Sequence, residues 1–101
     1  DNSRNCFLLM SDEQVVGVLA GVEVVSPLNS QRFFQEIAWY VDHAWGKYGF
    51  FLINEARKIL RDNGVSHIIM AVLEHDKSNK IKKIYKRMGF KPIETHYMRA
   101  V

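Results

Sequence analysis

An amphipathic helical segment that lies between two apolar segments constrains the fold of this chain more than any other feature. Apolar residues recur at helical spacing from Phe50 to Asn63, with polar and charged residues on the opposite side. The segment before it, Phe33 to Val41, has the aromatic and branched residues typical of a strand. The segment after it, Val65 to Leu73, is almost continuously apolar, as expected for a strand covered on both faces. This order predicts a βαβ unit, in which a right-handed crossover joins two parallel strands.

Further elements are predicted on both sides of this unit. Residues 6–10 (CFLLM) and the segment from Val15 to Val25 read as strands, separated by a short polar turn and therefore close enough to form an antiparallel hairpin. A second helix from about Ser78 to Met88 is followed by Gly89 and by a final strand from Lys91 to Val101. The sequence thus predicts one α/β (α+β) domain of 101 residues. Its mixed sheet would have antiparallel N-terminal strands and a parallel βαβ unit.

The composition excludes several classes of protein. A single cysteine, Cys6, cannot form an intrachain disulfide, and the four histidines are scattered, so no metal site is expected. The longest purely apolar run, Ile68 to Leu73, is far too short to span a bilayer. Because no signal-peptide pattern is visible either, the sequence predicts a cytoplasmic protein that does not associate with a membrane.

The positive charge of the chain is concentrated in one block. Seven of the 14 Lys and Arg residues fall between Lys77 and Lys91, in a stretch that contains no acidic residue. Such a block is typical of a solvated helix face, but it would also attract a phosphate-bearing ligand or a nucleic acid. The predicted helix extends this block over only about 15 Å at 1.5 Å per residue, which is short for a nucleic-acid track.

A glycine-containing loop joins the third strand to the first helix. Between Gly46 and Gly49 no Ser, Thr, Asp or Asn is available to cap the helix, so its first amides are expected to be free. Together with the helix dipole and the charge of Lys47, these amides could bind a phosphate group. The alternative is an ordinary turn, since glycine caps helices acceptably. The loop follows the carboxyl end of a strand, where α/β units bind their ligands.

Glu36 is the candidate general base. It lies in the middle of the third strand, and the period-two pattern places it on the face opposite to Ile37, Trp39 and Val41. A carboxylate among aromatic and aliphatic neighbours is suited to accept a proton from a reacting amine. The alternative is a glutamate on an edge strand that faces water.

Two stretches of the sequence resemble the GNAT superfamily of acyl-CoA N-acyltransferases. Ile84 to Phe90 is similar to the family's Y-x-x-x-G-F signature, and Trp39 to Asp42, followed by the glycine loop, is similar to its strand and pyrophosphate loop. The tail from Gly89 to Tyr97 also resembles GNAT-type proteins of bacteriophages. The likeness covers residues 6–101. It implies the C-terminal two-thirds of the GNAT fold, without the family's first strand and the two helices that follow it.

The resemblance implies a site for acetyl-CoA and two catalytic residues, with no metal. Glu36 would act as general base on an amine, and Tyr85 would protonate the leaving thiolate. The loop departs from the family pattern, because Ala44 stands where the family has Arg or Gln, and Lys47 where it has a middle glycine. Alternatively, the loop is shortened and Gly46 stands for the family's first glycine. The residues that would contact acetyl-CoA are Tyr40, Val41, Gly46, Lys47, Tyr48, Gly49, Ser78 and Lys82.

Three functions are compatible with these features. The first is an N-acetyltransferase that moves the acetyl group of acetyl-CoA to a primary amine by direct attack. Its acceptor would be a small molecule or a protein, not identified by the sequence, and a homodimer is left open. The second is a non-catalytic module of the same fold that binds CoA or a protein partner. The third, and least favoured, is a small basic nucleic-acid-binding protein. The sequence favours the first.

Overall fold

The computed structural model describes residues 4–26, 29–72, 78–94 and 96–101. The chain divides into two compact units, Asp1–Ala71 and Val72–Val101. The single domain expected from the sequence therefore stays a prediction. In the described ranges, no helix is both long enough and apolar enough to cross a membrane.

The first unit is built on a mixed sheet, as the sequence predicts, and this sheet has four strands in the described structure. Its strands are β1 (Arg4–Ser11), β2 (Gln14–Val25), β3 (Arg32–Val41) and β4 (His67–Ile69). They lie side by side in the order β1, β2, β3, β4. β1 and β3 both pair antiparallel with β2, and β4 pairs parallel with β3. The prediction of an antiparallel start and a parallel βαβ unit is confirmed.

Helix α1 (Gly49–Asp62) packs on one face of this sheet and forms the core with it. A 3₁₀ helix, His43–Tyr48, leads into it from β3. The apolar stripe of α1 is buried above Leu19 of β2 and Phe34 of β3, which are fully buried. The buried members of the stripe are Leu52, Ile53, Ala56 and Leu60.

A Schellman motif ends α1. The Gly64 amide donates to the Arg61 carbonyl, and the Val65 amide donates to the Leu60 carbonyl. Gly64 has a φ of 86°, which is the left-handed conformation that the motif needs and that glycine adopts without strain. The motif turns the chain back toward the sheet, where β4 begins two residues later.

A bulge in β3 decides which side chains share a face of the sheet. The register between β2 and β3 skips Ile37, which is one extra residue on β3. Leu19 and Gly21 point to the same face of β2, the face covered by α1. Their partners on β3 are Trp39 and Glu36, so these two side chains also share that face. The sequence prediction that placed Glu36 and Trp39 on opposite faces was wrong, because strict alternation does not continue through a bulge.

β4 is much shorter than the strand that the sequence predicts over Val65–Leu73. It is limited to His67–Ile69, which pairs with Phe33–Gln35 of β3, and the predicted C-terminal residue lies outside the described residues. β3 continues to Val41, and no strand of the described part lies beside this second half on the β4 side. In the described part of the chain, the two parallel strands therefore stop pairing after Gln35.

The second unit contains helix α2 (Ser78–Arg87), which also ends in a Schellman motif. The Gly89 amide donates to the Lys86 carbonyl and the Phe90 amide to the Tyr85 carbonyl, with a φ of 92° at Gly89. The rings of Tyr85 and Phe90 lie 5.3 Å apart, which is the apolar contact that usually accompanies this motif. The Tyr, Gly and Phe of the Y-x-x-x-G-F signature are thus the three positions that terminate the helix.

The final strand predicted from Lys91 to Val101 was wrong. Residues 91–94 and 96–101 form no strand in the described structure. Their large apolar side chains are exposed; Tyr97, for example, is 93% exposed. A strand is stable only when its backbone groups find partners, so apolar residues alone do not produce one.

Candidate functional site

The side chain of Glu36 lies at the position where β3 and β4 stop pairing. The backbone amide of Ala71, two residues after the end of β4, donates to Glu36 Oε1 over 3.1 Å. The side chain of Glu36 is half-buried. Oε1 thus accepts the kind of hydrogen bond that a backbone carbonyl of β3 would accept in a longer ladder.

The loop after β3 is more ordered than the sequence predicts. It forms the 3₁₀ helix His43–Tyr48, a type of helix in which amides donate to the carbonyl three residues back. At its two ends, the Trp45 amide donates to the Asp42 carbonyl and the Gly49 amide to the Gly46 carbonyl. The expectation of free amides at the start of α1 is therefore wrong for Gly49, whose amide already has an acceptor.

The two glycines of this segment have different surroundings. A Cβ added to Gly46 would meet no atom within 4 Å, so this position faces open space. A Cβ added to Gly49 would lie 3.2 Å from Cζ2 of Trp39. The Trp39 ring also contacts Phe50, with 5.2 Å between the ring centroids. Gly49 is therefore the residue that lets the start of α1 lie against the Trp39 indole, a packing role that the sequence analysis missed.

Lys47 provides the positive charge of the segment. Its side chain is exposed, and Nζ lies 5.2 Å above the ring of Tyr48, within range of a cation–π contact. The Tyr48 ring lies 5.8 Å from that of Trp45. Lys47 is thus placed over an aromatic surface beside the open position at Gly46, where it can meet an anion.

Tyr40 and Val41, both predicted to contact acetyl-CoA, lie on opposite faces of the sheet. Val41 shares the α1 face, where its side chain is 3.7 Å from the position of a Cβ on Gly49. Tyr40 is on the other face and is 62% exposed. A hydrogen bond from its hydroxyl to the Asp42 carboxylate, together with the charge of that carboxylate, raises the pKa of Tyr40 above its ordinary value.

The remaining predicted residues belong to the second unit. Tyr85 is buried and contacts Phe90, and Ser78 is also buried. The cationic side chains of α2 are all exposed. They are Lys80, Lys82, Lys83, Lys86 and Arg87.

Two carboxylates lie on the described strands of the first unit, and they have different partners. Glu23 on β2 forms an ion pair with Arg32, whose guanidinium also donates to the Asn63 carbonyl. That carboxylate is therefore occupied by a structural contact, whereas Glu36 carries no cationic partner among the described residues. In the same ranges, no group of three or more His, Cys, Asp and Glu side chains could hold a metal ion.

The fold is similar to that of solved acetyltransferases. An aminoglycoside acetyltransferase from an uncultured soil metagenomic sample matches with a TM-score of 0.85 at 14% identity, over 100% of this chain and 68% of that chain. A ribosomal-protein-alanine N-acetyltransferase from Brucella melitensis biovar Abortus 2308 matches with a TM-score of 0.78 at 17% identity, over 100% and 73%. A transcriptional regulator from Bacillus halodurans C-125 matches with a TM-score of 0.80 at 15% identity, over 100% and 68%. No protein-family model matches the sequence, and no curated protein does.

These similarities define the class of the fold. The chain has the fold of the GNAT superfamily, in agreement with the resemblance of its Tyr85–Phe90 and Trp39–Asp42 stretches. It corresponds to about 68 to 73% of the length of the three structures named above. Sequence identities of 14 to 17% establish the fold alone. The transcriptional regulator among the neighbours shows why an activity must be argued from the site.

Proposed function

We propose that this protein is an N-acetyltransferase, which transfers the acetyl group of acetyl-CoA to a primary amine. The observation that supports this most directly is the half-buried carboxylate of Glu36 at the point where the two parallel strands part. In a chain with the GNAT fold, this carboxylate is our candidate for the base, at the end of the described pairing between β3 and β4. We further propose that the protein acts in the cytoplasm without a membrane partner.

The proposed reaction is a direct attack of the amine on the thioester. Glu36 Oε2 accepts a proton from the amine, directly or through one water molecule. The nitrogen then bonds to the acetyl carbon, and the carbon–sulfur bond breaks. Tyr85 donates its hydroxyl proton to the departing thiolate. The role of Tyr85 is based on the resemblance of its motif, whereas that of Glu36 is also supported by its position.

The proposed contacts to the cosubstrate follow β3 beyond its described pairing with β4, and then the segment after it. The resemblance places the strand-edge groups from Ile37 to Val41 beside the pantetheine arm, and the described pairing of β3 with β4 ends before them, at Gln35. Lys47 would bind the pyrophosphate, aided by the space around Gly46. Because the Gly49 amide is used by the 3₁₀ helix, the charge of Lys47 carries more of this contact than free amides do. From the resemblance, Tyr40, Tyr48 and Gly49 of the first unit are further proposed cosubstrate contacts. Ser78 and Lys82 of the second unit are proposed on the same ground, separately.

Thermal unfolding with and without acetyl-CoA tests the proposal. A ligand at a hundred times its Kd stabilises the folded state by about 2.7 kcal/mol, so Tm should rise clearly. Gly46→Asp and Lys47→Ala should reduce the rise, since they add a negative charge and remove a positive one at the proposed pyrophosphate site. Gly46 is the better glycine to replace, because a side chain at Gly49 would contact Trp39. Lys58→Ala, on the second half of α1, is the matched control and should leave the rise unchanged.

The alternative functions predict different results. A non-catalytic module would show the acetyl-CoA shift and form no acetylated product with any amine; the packing of Tyr85 against Phe90 is compatible with this reading. A nucleic-acid-binding protein would show no acetyl-CoA shift but salt-sensitive binding to DNA or RNA through the exposed cations of α2. The acetyltransferase proposal requires both the shift and the product.

A further inference from the structure

β1 is the outermost strand of the described sheet. In the order β1, β2, β3, β4 it has β2 on one side and no described strand on the other. None of the remaining backbone hydrogen bonds of the described residues involves Arg4–Ser11. The stretches outside the described ranges have at most five residues each, so none is long enough to pair with all eight residues of β1. At least part of this outer edge is therefore left for a further strand.

The β1–β2 hairpin shows which residues of β1 face that edge. Ser11 and Gln14 close a turn of two residues, Asp12 and Glu13, whose φ values are 47° and 70°. The pair that closes such a turn is hydrogen-bonded, so the backbone groups of Ser11 point toward β2. Bonding alternates along an antiparallel strand, and the register shift leaves its extra residue on β2 rather than β1. The backbone groups that point outward are therefore those of Cys6, Leu8 and Met10.

The side chains of this edge favour pairing with another chain. Edge strands that avoid pairing usually carry charges or proline, and residues 5–10 have neither. On the face of the sheet opposite to α1, Leu8 and Met10 are each 51% exposed. On the α1 face, Phe7 and Leu9 are only half-buried. A further strand beside β1 would remove apolar surface from water on both faces.

β1 is complementary to a second copy of itself in an antiparallel register centred on Leu8. In that register Leu8 stands opposite Leu8 of the second copy, and the outward backbone groups of the two residues bond to each other. Phe7 is opposite Leu9, and Cys6 is opposite Met10. Apolar side chains thus meet apolar side chains on both faces, as favourable cross-strand pairs require.

Charge favours this register over its neighbours. It places Arg4 opposite Asp12 of the second copy at both ends of the pairing, and these residues carry opposite charges. Registers centred on Phe7 or on Cys6 put Arg4 opposite an apolar residue instead. The register centred on Leu8 is therefore the one that satisfies both the apolar and the charged positions.

We propose that the protein forms a symmetric homodimer in which two β1 strands pair antiparallel at the sheet edge. The two-fold axis is perpendicular to the sheet, so the two described sheets join into one and both α1 helices lie on the same face. Each α1 is set back from the axis, since the sheet residues buried completely beneath it are Leu19 of β2 and Phe34 of β3. This inference goes beyond the proposed function, because it depends neither on acetyl-CoA nor on an acceptor.

Sedimentation velocity over a concentration series tests the proposal on the wild-type chain. We expect a species of twice the mass of the chain, with or without acetyl-CoA. Leu8→Lys places two like charges opposite each other across the axis, so this variant should be monomeric. Val24→Lys is the matched control, because Val24 is 47% exposed on the same face but lies on the interior strand β2. It should remain dimeric, and circular dichroism checks that both variants are folded.

An intermolecular disulfide tests the register without the Leu8→Lys variant. In a Cys6→Ala, Leu8→Cys variant, the two thiols would stand directly opposite each other, with Cα atoms about 5.5 Å apart, which a disulfide can bridge. Mild oxidation should therefore convert this variant into a covalent dimer. In the wild type, Cys6 is the only cysteine, and its two copies would lie about 14 Å apart along the strands. The wild type should therefore form the covalent dimer at least about tenfold more slowly.

The outcomes distinguish this interface from others. A wild-type dimer that is lost in Leu8→Lys and kept in Val24→Lys, with fast crosslinking at position 8, supports the inference. A monomer at every concentration, a dimer that persists in folded Leu8→Lys, or a dimer that is lost in Val24→Lys overturns it. Crosslinking at position 8 that is no faster than that of wild-type Cys6 also overturns it. Absence of an acetyl-CoA shift in Tm would overturn the proposed function and leave this inference standing.

Discussion

The Ala71 amide donates to Glu36 Oε1 at the position where β3 and β4 stop pairing. One side chain thus continues the connection between two strands after their backbone ladder ends. The same side chain is the proposed base. A substitution at Glu36 therefore affects both stability and activity, and the two effects can be separated by the choice of replacement.

Glu36→Gln should remove the base and keep the connection to Ala71. The amide oxygen of Gln can still accept the Ala71 hydrogen bond, so Tm should change little. Without a basic carboxylate, kcat should fall by about 10²–10⁴-fold, while acetyl-CoA affinity is retained. Glu36→Ala removes the acceptor as well and should also lower the free energy of unfolding by about 1 kcal/mol. Steady-state kinetics and denaturant unfolding of both variants give the two quantities. Wild-type turnover in Glu36→Gln would show that this carboxylate is only structural.

Substitutions of two glycines by alanine should have opposite effects on stability. A Cβ on Gly21 would lie 2.3 Å from the Gln35 carbonyl oxygen and 2.5 Å from the Phe34 ring, so backbone and core must both move. Gly21→Ala should therefore destabilise the protein by about 1–3 kcal/mol, as overpacking does. Gly46→Ala meets no atom within 4 Å and should be neutral or stabilise by up to about 1 kcal/mol. Urea unfolding of both variants measures this, and equal stabilities would contradict the packing around Gly21.

The interaction between Tyr40 and Asp42 should be visible in an alkaline titration. The hydrogen bond to Asp42 and its charge raise the pKa of Tyr40 in the folded protein. Because the folded state holds this proton more tightly, the contribution to stability is present below the ordinary tyrosine pKa. It is lost as the pH rises through the raised value. Asp42→Asn removes the charge and should shift the phenolate absorbance change to lower pH. Tyr40→Phe assigns the signal, and an unchanged titration in Asp42→Asn would exclude the contact.

Arg32 connects three parts of the first unit, and its replacement should lower the free energy of unfolding. Its guanidinium pairs with Glu23 and donates to the Asn63 carbonyl, while its own carbonyl accepts the Ser66 amide. Arg32→Ala leaves the carboxylate of Glu23, which is 14% exposed, without its cation and should cost about 1.5–3 kcal/mol. Arg32→Lys should recover part of this loss, because a single ammonium cannot serve both acceptors with the geometry of a guanidinium. Thermal unfolding of both variants checks this order of stabilities, in which Arg32→Lys lies between the wild type and Arg32→Ala. Equal Tm values for the two variants would contradict it.

Local sequence signals predicted most elements of the fold. The bounds of β2, β3 and α1 differ from the predicted ones by one residue at most at each end. Three signals depend only on neighbouring residues and can therefore be read from the sequence. They are the apolar periodicity of the helices, the glycine at position 64 that ends α1, and the alternation of side chains in the strands. The same holds for the end of α2, because the residues that form its Schellman motif, up to Gly89 and Phe90, are close together in the sequence.

What the sequence did not predict depends on contacts between distant residues. The bulge at Ile37 exists only relative to the register with β2, so alternation along β3 alone misplaced Glu36 relative to Trp39. The role of Gly49 depends on an indole ten residues earlier, and the contact between Glu36 and Ala71 spans 35 residues. The site residues of the second unit stay predictions, as does the cosubstrate site.

The pairing of only three residues between β3 and β4 has a consequence for the order of folding. Ser66 contacts the carbonyl of Arg32 across 34 residues, so this pairing closes a long loop. Closing such a loop costs about 3 kcal/mol of free energy beyond a constant, because the chain loses entropy. The pairing of three residues offsets only a small part of this cost. The β1–β2 hairpin, which joins neighbouring residues, has almost no closure cost. The hairpin should therefore belong to the folding nucleus, and the crossover through α1 should be completed after the transition state.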